Sequence, residues 1–152
     1  MSDNDGFYLA YADGACRGNP GPMGMGVLIV NPKGNVVHKQ SDAMPSGTNN
    51  QAEYLAAIAA LEQAQRLGAR RVELRMDSEL VVRQLIGQYS VKNAGLLPLY
   101  RRAAELLRTF ERWRCVHIRR KDNWRADKLA NKALDRAGEP AKNFRRRPGV
   151  VG

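Results

Sequence analysis

Patterning begins at residue 7. Phe7 to Asp13 runs Phe, Tyr, Leu, Ala, Tyr, Ala, Asp without a breaker and stops at Gly14, which predicts a strand with a carboxylate at its tip. Gly18-Asn19-Pro20-Gly21-Pro22 suits neither helix nor ladder and reads as a turn-rich loop. A second strand is expected from about Gly24 to Val30. Asn31-Pro32-Lys33-Gly34 then turns the chain, and Asn35 to Gln40 alternates well enough for a third strand. These three strands form an antiparallel meander.

Thr48-Asn49-Asn50-Gln51 spells a capping box, and strong helix formers follow to Leu67, with Gly68 closing the helix. Glu53, Ala56, Ala57, Ala60 and Ala64 share one stripe, so the helix is expected close against a sheet with Glu53 drawn inward. Val72 to Met76 alternates and ends in Asp77; a strand reached through a helix is expected to lie parallel to the first. Ser78 to Leu85 predicts a short helix capped by Ser78 and stopped near Gly87. Leu96, Tyr100, Ala103, Leu107 and Phe110 keep helical spacing, so a helix is expected from Gly95 to Arg112, with Pro98 tolerated in its first turn. Trp113 to Ile118 reads as the last strand. Asn123 or Asp122 then caps a final helix with the stripe Ala126, Leu129, Ala130, Ala133, Leu134, closed by Gly138 and carrying Asp127 in its first turn.

This order predicts an α/β fold: a mixed five-stranded sheet, made of the three-strand meander plus two parallel strands, flanked by helices. Ligands of such sheets collect beyond the carboxyl ends of the strands, near a switch in strand order. One domain is expected over 1–138, followed by a flexible basic tail over 139–152 that contains Arg145-Arg146-Arg147.

Composition narrows the class. A chain of 152 residues suits one domain, and its uncharged apolar stretches, such as Leu55 to Leu61, fall short of the ~20 residues a membrane span needs. No basic and apolar leader opens the chain, so a cytoplasmic protein is expected, as a monomer. Cys16 and Cys115 are too distant for a CxxC pair or a disulfide framework, which excludes a thiolate zinc site. The net charge is +10, and it is unevenly placed: residues 1–100 hold nine basic and nine acidic side chains, residues 101–152 sixteen and six. A one-sided field suits a polyanion such as nucleic acid, the alternative being a solvated arginine-rich surface.

Four carboxylates are expected at one edge. Asp13 and Asp77 end neighbouring strands, and Glu53 and Asp127 sit in first turns of helices that start beside them. Each alone also reads as a turn former, a capping partner or a dipole complement. Brought together they repel by on the order of 1 kcal/mol per pair in water and by more in a drier cleft, so the cluster calls for cations. Oxygen ligands without His or Cys select hard ions such as Mg²⁺ or Mn²⁺.

Tyr11-Ala12-Asp13-Gly14-Ala15-Cys16-Arg17-Gly18-Asn19-Pro20-Gly21-Pro22 resembles the opening signature of the type 1 ribonuclease H family. Thr48-Asn49-Asn50-Gln51-Ala52-Glu53, Asp77-Ser78-Glu79 and Asn123-Trp124-Arg125-Ala126-Asp127 resemble its other three blocks, in order, and coverage runs from about Phe7 to Ala137. The resemblance implies a ribonuclease H-like fold and catalytic, metal-binding roles for Asp13, Glu53, Asp77 and Asp127 around two Mg²⁺, with Mn²⁺ as substitute. It implies hydrolysis of the RNA strand of an RNA/DNA hybrid, leaving 5′-phosphate and 3′-hydroxyl ends. It also implies substrate contacts by the loop Cys16, Arg17, Gly18 and Asn19, by Asn49 and Asn50, and by Asn123, with the minor-groove 2′-hydroxyl as the mark of RNA. Thr48 keeps two roles open, contact with a phosphate of the DNA strand and capping of its helix.

The chain departs from the family pattern in two places. The stretch from Gly87 to Leu96 is too short for the basic helix and loop of many members, so Arg119, Arg120, Lys121, Arg125 and the tail arginines are expected to supply the grip. The histidine loop before the final acid is also missing, which is similar to the short archaeal and bacterial subgroup. Arg120 is the candidate there, holding a phosphate, since a guanidinium cannot act as a base. His117 reads as an edge or packed side chain of the last strand. Members of that subgroup sometimes accept duplex RNA or RNA–DNA junctions, so broader substrates stay open. Trp124 has two readings, stacking on a base or sugar and anchoring the final helix; the large area a Trp buries favours the second. The rival class is a catalytically silent hybrid-binding or duplex-binding module, against which the presence of all four acids argues. A DNA-cutting resolvase or integrase of related architecture is a weaker rival.

Overall fold

A computed structural model describes residues 6–138; the expected tail lies outside the described residues. Strands β1 (Phe7–Cys16), β2 (Gly21–Val30) and β3 (Val36–Gly47) form the meander, and β4 (Arg71–Met76) and β5 (Arg112–His117) complete the sheet. The order across the sheet is β3-β2-β1-β4-β5, antiparallel among the first three and parallel for β1 with β4 and β4 with β5. This is the mixed five-stranded sheet expected. Helices α1 (Asn49–Arg66), α2 (Glu79–Leu85) and α3 (Leu97–Leu107) precede α4 (Trp124–Ala137), which is entered through a 3₁₀ turn at Arg120–Asn123.

The capping box forms as expected: the Gln51 amide donates to Thr48 Oγ1 at 3.2 Å, and the Thr48 amide to Gln51 Oε1 at 2.9 Å. The small stripe of α1 is sealed, with Ala56, Ala57, Ala60 and Ala64 fully buried against the larger core formed with β1, β2 and β4. On the opposite face α4 seats on β2. A Cβ at Gly26 would fall 2.1 Å from the Ala126 carbonyl oxygen, so only glycine permits that approach. Leu9, Leu28 and Val30 form a smaller core on this face, with Tyr11 and Leu129 packed against it.

Four boundaries differ from the pattern reading. Gly14 does not end β1, because the ladder to β2 continues past it, pairing Gly14 with Met25 and Cys16 with Met23. Strand β3 runs on through Pro45, which an edge strand tolerates, and register shifts mark both of its ends. Helix α3 stops at Leu107 rather than Arg112: Thr109 Oγ1 donates to the Leu106 carbonyl at 2.6 Å, and the Glu111 amide already pairs with Arg70. Phe110 is buried all the same, so its apolar spacing reported burial rather than helix. Asn123 stands at the N-cap of α4 without capping it, because its side chain is used elsewhere.

Candidate active site

The carboxyl ends of β1 and β4 meet the starts of α1 and α4, and a cleft of about 290 Å³ opens there. Asp13, Glu53, Asp77 and Asp127 all line it. Asp13 and Glu53 are buried, at 4% and 7% exposure. Asp13, Glu53 and Asp77 each offer an oxygen within 4.8 Å of the others, while Asp127 stands at the rim with 34% of its side chain exposed.

Local structure fixes each group. A Cβ on Gly14 would lie 2.2 Å from the Ala52 backbone, so β1 presses against the first turn of α1. In that contact the Gly14 amide donates to Glu53 Oε1 at 2.6 Å. Asn123, 1% exposed, donates from Nδ2 to the Ala12 carbonyl at 2.9 Å and to Asp77 Oδ1 at 2.8 Å. Asn131 lies one turn beyond Asp127 and donates to the Asp127 carbonyl at 3.0 Å and to its Oδ1 at 3.3 Å. The pattern reading missed Asn131; its place four residues after Asp127, on the same helix face, is the signal that finds it.

Burial, then the charges of Glu53 and Asp77, push the Asp13 carboxyl up to about 10. Burial likewise pushes Glu53 up to about 8, against the opposing Gly14 hydrogen bond. None of Asp13, Glu53 and Asp77 has a salt bridge among the described residues. Arg120 lines the cleft with its side chain 81% exposed, Nη2 lying 3.9 Å from Asp127 Oδ1.

The expected substrate contacts divide. Thr48, Asn49 and Asn50 are exposed side by side at the start of α1. The Asn49 amide donates to Asn19 Oδ1 at 3.0 Å, tying the β1–β2 loop to that helix. The Arg17 amide pairs with the Pro22 carbonyl at 3.0 Å, and its guanidinium forms an exposed ion pair with Asp135. The Cys16 thiol sits among the Gly18, Gly21 and Gly47 carbonyl oxygens and can donate its one hydrogen to any of them, which braces the loop. Gly18 holds a positive φ of 85°, a conformation that favours glycine. Asn123 faces inward, where its two internal hydrogen bonds place it against Asp77 and the end of β1. His117 is exposed at the end of β5 and does not line the cleft.

The family model described as reverse transcriptase-like matches residues 11–133. Ribonuclease HI of Halobacterium salinarum is 47% identical over 89% of this chain and 68% of its own length. The chain belongs to the ribonuclease H family. A crystal structure of the RNase H1 of the same archaeon matches with a TM-score of 0.84, covering 86% of this chain and 99% of that one. LC11-RNase H1, solved in complex with an RNA/DNA hybrid, matches at 44% identity and a TM-score of 0.82, over 87% of this chain and 99% of that one. A bifunctional protein of Mycobacterium tuberculosis is 43% identical over 86% of this chain, which spans 36% of its length. Within this ribonuclease H, α2 and α3 are joined by a short connection, as the missing basic helix and loop required. No helix among the described residues is long and apolar enough to cross a membrane.

Proposed function

We propose that the chain is an endoribonuclease that hydrolyses the RNA strand of RNA/DNA hybrids, leaving 5′-phosphate and 3′-hydroxyl ends. The observation that carries this reading is the close set of Asp13, Glu53 and Asp77, the first two buried, none of which has a salt bridge among the described residues. All-oxygen donors in a site that raises their proton affinity fit hard divalent ions, Mg²⁺ first and Mn²⁺ as substitute. Asp13, Glu53, Asp77 and Asp127 would hold two of them. Bound there, the ions supply an activated water and charge neutralisation at the leaving oxygen of an in-line displacement.

The protein's own groups do the remaining work. The Gly14 amide and the Asn123 side chain aim Glu53 and Asp77. Arg120 is exposed at the rim, where it can hold a phosphate but cannot take a proton. Asn49 lines the cleft, and with exposed Asn50 and the Asn19 loop tied to it is suited to a strand whose 2′-hydroxyls lie in a wide minor groove. Thr48 caps α1 and remains exposed for a phosphate of the other strand.

Incubating a labelled hybrid with Mg²⁺ and with chelator tests the reading, with duplex DNA, duplex RNA and a single ribonucleotide in DNA as competitors. Metal-dependent cutting of the RNA strand is expected. Tight binding without cutting would make the chain a silent hybrid-binding module, and cutting of duplex DNA would make it a DNA nuclease.

A further inference from the structure

A second concave surface, sharing no residue with the carboxylate cleft, lies along α4. It is a groove of about 320 Å³, floored by Leu28 and Leu129, with Lys39 of β3 on one wall and Lys128 and Lys132 of α4 on the other. Trp124 and Arg125 complete the lining. The expectation that this ring anchors α4 is overturned: it is 58% exposed, because Ala126, Ala130, Ala133 and Leu134 already seat the helix. Arg125 lies over two rings, 5.9 Å from Trp124 and 5.5 Å from Tyr11. No carboxylate lines the groove, and Lys39, Arg125, Lys128 and Lys132 have no salt bridge among the described residues. Arg114 at the far end of the sheet differs in this respect, being paired with Glu73 and covering the Phe7 ring.

An exposed indole beside unpaired cations is the combination by which proteins hold unpaired nucleotides, the ring taking a base and the cations the backbone. The groove's volume lies at the small end of ligand sites, which span about 300–1,000 Å³, a size that suits a nucleotide. Trp124 lies three residues, nearly one helical turn, before Asp127, so the groove starts beside the cleft. Lys128 and Lys132 continue from Trp124 along one stripe of α4, and Asp127 and Asn131 form the stripe beside it, each lysine about 100° round the helix from the residue before it.

We infer that this groove binds a single-stranded flank of the hybrid, with a base stacked on Trp124 and phosphates on Lys39, Lys128 and Lys132. The inference rests on the reading of the cleft as the hybrid site. Hybrids that are blunt or carry a five-nucleotide unpaired flank at either end, titrated against the non-cutting Asp13→Asn protein over a range of salt, test it. The flank should raise affinity at least fivefold, a gain that Trp124→Ala removes and Trp124→Phe largely keeps. Replacing the three lysines by alanine should lower the salt slope for the flanked substrate by about 2, at ~0.7 per single-strand phosphate contact. A flank that adds nothing, or a gain that survives both Trp124→Ala and the lysine variant, overturns the inference. If Trp124→Ala does not fold, the exposed lysines decide alone. Failure of the blunt hybrid to bind would count against the cleft instead. The groove is then read with an isolated oligonucleotide, which must quench Trp124 fluorescence in a Trp113→Phe background for the inference to stand.

Discussion

Glu73 and Asp13 lie on neighbouring strands of one sheet, at 6% and 4% exposure, yet they are treated in opposite ways. Glu73 is clasped by Arg75 at 2.5 Å and Arg114 at 2.9 Å, so the chain neutralises it with its own cations. Asp13 is given Glu53 and Asp77 as neighbours, and burial among acids pushes its carboxyl up to about 10. The difference teaches that burial alone does not mark a functional carboxylate. What marks it is burial without a partner, a deficit that an external cation removes.

The largest effect expected from disturbing this contrast comes at the unpaired end. Asp13→Asn should lower hybrid cleavage by about 10³-fold or more, the rate equivalent of several kcal/mol of lost charge stabilisation, with hybrid binding retained. Single-turnover cleavage beside a binding titration checks both halves; wild-type turnover would remove Asp13 from the mechanism.

At the paired end, Glu73→Gln should leave two arginines without their carboxylate and destabilise the fold by about 1–3 kcal/mol, the lower part of the range applying because both guanidinium groups reach water. Denaturant melts measure this, and cleavage per folded molecule should be unchanged. A loss of cleavage without loss of stability would erase the distinction between the two sites.

Stability against pH sharpens the contrast. Folding raises Asp13 from 3.8 to about 10 and Glu53 from 4.5 to about 8, so the folded chain holds these protons more tightly than the unfolded one. Their contribution is therefore complete below about pH 4 and is lost as pH rises through 8 to 10. Thermal melts in chelator should show a midpoint falling with rising pH, and Asp13→Asn should flatten that fall. Mg²⁺ should raise the wild-type midpoint most at the alkaline end. Equal pH slopes for the two proteins would contradict the repulsion.

The smallest expected change lies at the rim. Arg120→Ala should reduce the salt slope of hybrid binding by about 0.9, the share of one phosphate contact on a duplex. An unchanged slope would leave Arg120 with Asp127 alone.

The succession of strands and helices, the capping box and the four acids were legible because each is written locally: a carboxylate at a strand tip, an acid in a first turn, a hydroxyl three residues before a glutamine. What was not legible depends on neighbours distant in sequence. Gly14 looks like a stop until β2 is beside it, and Phe110 looks helical because the core, rather than α3, needs it. Trp124 looks like an anchor until four smaller residues on the opposite face of α4 are seen to do that job. Asn123 has the composition of a cap, and only the convergence of three elements turns it inward.

That turned amide joins the end of β1 at Ala12, the end of β4 at Asp77 and the entrance of α4, one turn before Asp127. Three of the four acids thus hang from elements pinned at a common rivet. The cradle is braced by the chain's own hydrogen bonds, the kind of preorganisation that spares a reacting strand the cost of assembling its site.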